Sequence, residues 1–262
     1  MKVDPSKIYF KPVDKEKNYA YAKSLRAKDE NLKKRNIRII IISLVALAMV
    51  PGIAYLVFRF RFENTFVSDT LPDYSQTESS SIDKDPIQIT ISNRQSGRIN
   101  GYNTLIDFRA YYDISAVVTS VHDYFGFDFY SALVPRDICL AWGDLKDSLK
   151  DPDISYWQDS RECHIKHPNY FAEHPEEAEV GVGRSKFTSL TFSNNHLIPA
   201  TREVRDQIFG LRRGDKVRII GYLVSAYSSD THAEHLVSST RRDDTGDGAC
   251  EVIYITRIEK YN

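Results

Sequence analysis

Hydrophobic residues follow three unlike patterns along the chain. Up to Asn36, isolated apolar positions (Tyr19, Tyr21, Leu25, Leu32) stand among charges at loosely helical spacing, which predicts a solvated helix. From Ile39 to Phe58 the chain reads IIIISLVALAMVPGIAYLVF, twenty residues without a charge. At a rise of about 1.5 Å per residue, that run matches a hydrocarbon layer of about 30 Å, and lipid tolerates its Pro51-Gly52 pair as a kink. Beyond Pro86, apolar and polar residues alternate. Ile87, Ile89 and Ile91 interleave with Gln88, Thr90 and Ser92, the period-two pattern of a half-buried strand.

Further strands are predicted over Tyr111–Val121, Val217–Ala226 and Glu251–Ile258, with Gly221 marking a bulge or bend. One helix is well delimited. Thr201 is its N-cap, Glu203 lies in its first turn, Val204, Ile208 and Leu211 form its buried stripe, and Gly214 follows its end. Long β segments with few helices predict a mainly β, α+β domain of OB-like or related small β-barrel type, behind a single transmembrane helix. The expected division is a basic tail over 1–36, the transmembrane helix over 37–60, a linker over 61–86, and the β-rich domain over 87–262. The linker is inferred from Ser, Thr, Asp and Pro content, including Ser79-Ser80-Ser81.

Charge gives the anchor a direction. Residues 1–38 hold 12 Lys/Arg against 5 Asp/Glu, whereas residues 63–262 hold 21 against 31. Lys28, Lys33, Lys34, Arg35 and Arg38 crowd one flank of the uncharged run, and Arg59 and Arg61 stand on the other. Positive-inside bias then keeps the N-terminus cytoplasmic and exports the C-terminal domain. The 38 residues before the run, and its length, argue against a cleaved signal peptide. An acidic outer domain argues against nucleic acid as a partner; the basic tail suits the anionic headgroups of the lipid bilayer.

Candidate chemistry is sparse. Asp243, Asp247 and Gly248 match three positions of a calcium loop, but Thr245 and Tyr254 stand where carboxylates are needed. Cys163-His164-x-x-His167, with His174 beyond, lacks the spacing of a metal site, and Pro168, Pro175 and the acidic run Glu173–Glu179 predict a loop. Gly181-Val182-Gly183 lacks the strand and helix that flank a phosphate loop. Ser238 or Ser239 with His196 and Asp244 has the residue types of a nucleophilic triad without a nucleophile elbow. No metal and no cofactor is called for. Of three cysteines, Cys139 and Cys163 are the expected disulfide in an oxidising compartment. It closes a loop of about 25 residues worth roughly 3 kcal/mol, and Cys250 is left as a buried thiol.

Several segments together resemble an uncharacterised family of single-pass bacterial inner-membrane proteins. They are Pro135-Arg136-Asp137 leading to Trp142-Gly143, Gln158-x-x-Arg161, Asn194-x-His196-Leu197-Ile198-Pro199-Ala200, and Arg213-Gly214-Asp215-x-Val217 with Gly221. The most specific is Ser238-Ser239-x-x-Arg242-x-Asp244-x-Gly246-x-Gly248-Ala249-Cys250-Glu251. The chain departs from the family pattern at Glu162-Cys163, where aromatics are usual, and at Asn195, where Met is common. The resemblance implies a membrane-anchored architecture and supplies no catalytic residue. Trp142, Gln158, Arg161, Asn194, His196, Arg242, Asp244 and Glu251 are the candidates for one polar cluster, either a ligand cleft or a buried network. The expected function is a non-catalytic periplasmic module that binds an envelope partner. The rival is an envelope hydrolase built on His196, Arg242 and Asp244.

Overall fold

A computed structural model describes residues 15–60, 62–76, 78–167, 172, 191–230, 234–241 and 250–261, except the side chains of residues 15, 17, 18, 22, 51 and 54–60. The chain divides into two compact units, Met1–Phe60 and Arg61–Asn262. The first unit is α1 (Lys15–Phe60), one continuous helix of 46 residues. Among the described residues, no helix is long and apolar enough to cross a membrane. The described side chains of the uncharged run are Ile39 to Val50, Gly52 and Ile53.

The second unit is mainly β with few helices, an α+β arrangement. Its described elements are β1 (Ile87–Ile99), β2 (Tyr102–Asp123), α2 (Phe129–Leu133), β3 (Arg136–Ala141), β4 (Ser155–Asp159) and β5 (Glu162–Lys166). They continue with β6 (Phe192–Pro199), α3 (Arg202–Phe209), β7 (Lys216–Ser228), β8 (His235–Val237) and β9 (Glu251–Tyr261). Five strands close on themselves: β2 pairs with β3, β3 with β6, β6 with β9, β9 with β7, and β7 with β2. All these pairings are antiparallel except β6–β9. The long strand β2 shares its first half between β1 and β7 and its second half with β3, and it bends at irregularities near Phe108 and Val118. Bulges of this kind let one strand serve two parts of a curved sheet.

The alternation of side chains along each strand decides what fills the barrel. Tyr112, Ile114 and Val118 of β2 meet Ile138 and Leu140 of β3, Leu197 of β6, Val217 and Ile219 of β7, and Ile253 and Ile255 of β9. Helix α3 adds Val204 and Ile208 to this cluster. Its cap is Thr201, whose side chain accepts from the Val204 amide at 3.3 Å. The helix ends at Gly210, a turn before the expected Gly214, because Arg136 donates to the carbonyls of Ile208, Phe209 and Leu211 at 2.9–3.1 Å. A cation there satisfies orphaned carbonyls and opposes the helix dipole. Gly221 interrupts the register of β7 with β9, and a Cβ there would sit 2.1 Å from the Tyr254 carbonyl oxygen, so only glycine fits.

A second apolar layer lies outside the barrel. Phe108, Tyr111, Tyr222 and Tyr254 meet edge to face, with Phe108–Tyr254 centroids 5.3 Å apart. Phe66, Leu71, Phe129 and Leu133 complete this layer. Two of these belong to the segment read as a linker, and that expectation is corrected: the segment is a strap. Asn64 bridges to Ile99, Ser80 Oγ donates to the buried Asp113 at 2.6 Å, and Gly143 N donates to Ile82 O at 2.8 Å. Composition misleads here because each apolar anchor stands alone among polar residues, yet each is inserted. Trp142 is also relocated. It packs in the barrel cluster, with Nε1 donating to Asp85 at 3.1 Å, rather than in the polar cluster.

The strap can be told from a linker by mutation. Leu71→Ala in the full chain is expected to cost about 2–5 kcal/mol, read from the denaturant midpoint of the second unit. A true linker residue would give a change within about 0.5 kcal/mol.

Candidate functional site

The site forms where three neighbouring strands carry polar residues on their outward face. On β3 and β6, Asp137 lies opposite His196 and Cys139 opposite Asn194. Because β6 and β9 run parallel with Asn195 opposite Glu251, Cys250 arrives at the level of Asn194. Period two then puts Asp137 and Cys139, Asn194 and His196, and Cys250 on one face.

The β4–β5 hairpin overhangs this face. Its register pairs Asp159 with Glu162 and Gln158 with Cys163, leaving Ser160 and Arg161 as a two-residue turn with φ of +47° and +64°. Both angles are positive, the arrangement of a tight hairpin turn, and neither residue is the glycine or asparagine such turns favour. The region around Cys163, His164 and His167 was expected to be a loop; Glu162–Lys166 is a strand instead. A disulfide joins Cys163 to Cys139, with Cα atoms 5.7 Å apart, and fastens the hairpin to β3. On the far face of the hairpin, His164 stacks on Trp157 with centroids 5.1 Å apart. Among the described residues, no group of three or more His, Cys, Asp or Glu side chains is arranged to hold a metal ion.

The centre of the site is an ion pair. His196 Nδ1 lies 2.8 Å from Asp137 Oδ1, and the carboxylate is fully buried. Cys250 stands on the adjacent strand at the level of Asn194, on the face that carries His196. Burial alone would lower the pKa of His196. The Asp137 carboxylate beside the ring, with Cys250 nearby, outweighs it and raises the group to about 9. Arg161 adds a second cation, its Nη1 3.7 Å from Asp137 Oδ2 and its guanidinium 3.7 Å over the Tyr124 ring. Burial, and then the neighbouring Asp137, push the Tyr124 hydroxyl well above its ordinary range.

Asn194 connects this pair to the sulfurs. Its Nδ2 donates to Cys250 Sγ at 3.1 Å and to Arg161 O at 2.6 Å, and its Oδ1 touches Cys163 Sγ at 3.1 Å. Cys250, expected as a buried thiol, is half-buried and free. A free thiol, an imidazole and a fully buried carboxylate are therefore carried on one face of three adjacent strands.

Of the residues singled out in the sequence, Arg161, Asn194 and His196 meet here, and Gln158 flanks Cys163 across the hairpin. Trp142 lies in the barrel, and Glu251 is buried opposite Asn195 on the other parity of the strand. Arg242 and Asp244 fall outside the described residues, as do Asp243, Thr245, Asp247, Gly248, His174 and the Gly181–Gly183 turn. Ser238 is a structural hydroxyl, donating to Ser239 O at 2.8 Å and accepting from Val252 N at 3.0 Å. Sequence reasoning missed Asp137 and Cys250 as members, although both stand in the quoted motifs. The signal available was parity, which places Asn194 and His196 together but names no partner strand.

No family model matches the chain, and no curated protein or solved structure matches it.

The His196 environment has a pH signature. A folded pKa of about 9 against an ordinary 6.5 means that the stabilisation is fully present below about pH 6.5 and is lost as pH rises through about 9. Denaturation midpoints of the wild type should therefore fall across that window. Asp137→Asn should be less stable near neutrality and should flatten that decline, as a pH series of chemical melts would record.

Proposed function

We propose that the chain is a membrane-tethered, extracytoplasmic protein whose outer domain is an OB-type barrel carrying a cysteine nucleophile, and that it performs acyl transfer, in the simplest case hydrolysis, on an envelope component. Three lines support this. The uncharged run Ile39–Phe58 falls within one helix, and the cations before it favour an N-terminus kept inside. The barrel order β2-β3-β6-β9-β7, with helix α3 between its third and fourth strands in sequence and one parallel pairing, is that of a five-stranded Greek-key barrel. The observation that carries the activity is the third. One imidazole stands 2.8 Å from a fully buried carboxylate, and a half-buried free thiol lies on the same face, 3.1 Å from the Asn194 amide.

The chemistry follows from those positions. The Cys250 proton rests on His196 from the start, so the resting pair is thiolate and imidazolium, and Asp137 fixes the ring and balances its charge. The thiolate attacks a substrate carbonyl carbon, and the carbonyl π pair moves to oxygen. The Asn194 amide beside Cys250 can donate toward that developing charge. When the tetrahedral species collapses, the imidazolium proton passes to the leaving group and a thioester to Cys250 remains. Water, deprotonated by His196, then releases the acid and restores the thiol. The hydrolase expected from His196, Arg242 and Asp244 thus keeps His196 and takes Asp137 and Cys250 as its partners.

A second observation favours the purely binding role. A groove of about 670 Å³, lined by Gln88, Asn93, Arg94, Asp107, Arg109 and Tyr227 among others, runs along β1, β2 and β7. Its paired charges and amides suit a polar envelope partner, and in-cell crosslinking from Asn93 would identify one.

The catalytic reading is tested with p-nitrophenyl acetate on the purified full chain. Cys250 should carry the acetyl group in peptide maps, and His196→Ala should slow its acylation by about 100-fold or more at pH 7. Acylation elsewhere, or at an unchanged rate in His196→Ala, would refute it. For topology, alkaline phosphatase fused after Asn262 should be active in bacteria and fused after Asn36 inactive; the reverse pattern would overturn the orientation.

A further inference from the structure

Two of the three cysteines stand in one row, with Asn194 between them. Cys139 on β3 is opposite Asn194 on β6, and Cys250 enters β9 at the same level on the other side. Cys163, bonded to Cys139, is brought above the row by the hairpin. A single carboxamide lies between the free thiol and the disulfide, with Asn194 Nδ2 3.1 Å from Cys250 Sγ and Oδ1 3.1 Å from Cys163 Sγ. Neither the barrel nor the acyl-transfer chemistry requires a disulfide at the nucleophile's side.

We propose that Cys250 and the Cys139–Cys163 disulfide form an exchange unit that switches the nucleophile off by an internal change of partner. The Cys250 thiolate attacks Cys163 Sγ in line with the existing bond. A Cys250–Cys163 bond forms, the Cys163–Cys139 bond breaks, and its electron pair leaves on Cys139. The proton that His196 took from Cys250 passes to the Cys139 sulfur. One thiol and one disulfide are present before and after, so no oxidant or reductant is consumed. Attack falls on Cys163 because it is half-buried and adjoins Asn194, whereas Cys139 is fully buried. Asn194 must swing aside for the sulfurs to meet, so its side chain is the gate.

Two consequences follow. In the exchanged form the nucleophile is bonded and inactive. The hairpin is also released from β3 and fastened to the head of β9, which moves Arg161 and Gln158 relative to the Asp137–His196 pair. The inference rests on Cys250 being nucleophilic, and its experiment separates the two claims.

The full chain in detergent is incubated at pH 8, quenched in acid, alkylated with N-ethylmaleimide at low pH, and mapped without reduction. The expected result is a population with Cys163–Cys250 linked and the label on Cys139, enlarged several-fold by Asn194→Ala and abolished by Cys250→Ser. In Cys139→Ser, diamide should join Cys163 to Cys250 and cancel acylation by p-nitrophenyl acetate, and dithiothreitol should restore it. Exclusive Cys139–Cys163 linkage in wild type and Asn194→Ala, with Cys250 still acylated, would overturn the exchange and leave the nucleophile reading intact. Failure of Cys163 and Cys250 to join in Cys139→Ser, where circular dichroism shows the fold retained, would overturn it independently. If Cys250 is neither acylated nor exchanged, both claims fall.

Discussion

The parallel pairing of β6 with β9 is the constraint on which the rest depends. It is the one parallel contact in the closed circuit, and it links strands separated by α3, β7 and β8. Without it, β6 and β9 would be free edges of an open sheet, and Leu197, Ile253 and Ile255 would lose their common interior. The same register brings Cys250 to Asn194. Closure of the core and assembly of the polar face are therefore one event, since a slip of one residue would exchange inward and outward side chains on the strand.

Placing Asp137 in that face is costly. A fully buried carboxylate loses its water, and desolvation in the interior amounts to several kcal/mol per ion before any pairing. His196, held protonated, and Arg161, braced over Tyr124, offset that loss. Apolar residues of similar volume would fold at least as well at such a position. The backbone of Ser160 and Arg161 is held at positive φ to bring one of these cations in, at about 1 kcal/mol or more for each residue. The other buried pair, Arg218 with Asp113, shows the contrast. It is bidentate, with Arg218 Nη2 2.7 Å from the carboxylate, and the strap closes over it through Ser80.

What could be read from sequence depended on how local each signal is. The β character, the capped helix at Thr201 and the parity of Asn194 with His196 all follow from neighbours within a few residues. The choice of Asp137 as partner does not, because it requires the β3–β6 register across more than fifty intervening positions, Cys139 opposite Asn194 included. Trp142 was grouped with the polar residues for its indole nitrogen, but one hydrogen bond to Asp85 satisfies that nitrogen and the ring fills the core. The hairpin at Ser160-Arg161 lacked the Asn-Gly signature that announces such turns, so its cysteine and histidines looked like loop residues. Phe66 and Leu71 were hidden for a similar reason: apolar residues that insert singly into another element's surface leave no period to detect.

Strand β1 carries a last consequence, for the company the protein keeps. It is the outermost strand of the seven-stranded sheet, thirteen residues long, and such an edge invites strands from other chains to add to it. Its pairing is broken by a bulge between Thr90 and Asn93, and Arg94 and Arg98 project along its exposed length. A second copy approaching that edge would meet a kinked backbone, guanidinium groups held by Asp107 and Glu63, and a far end already bonded to Asn64 and Thr65 of the strap, so little of the edge is left to template another strand.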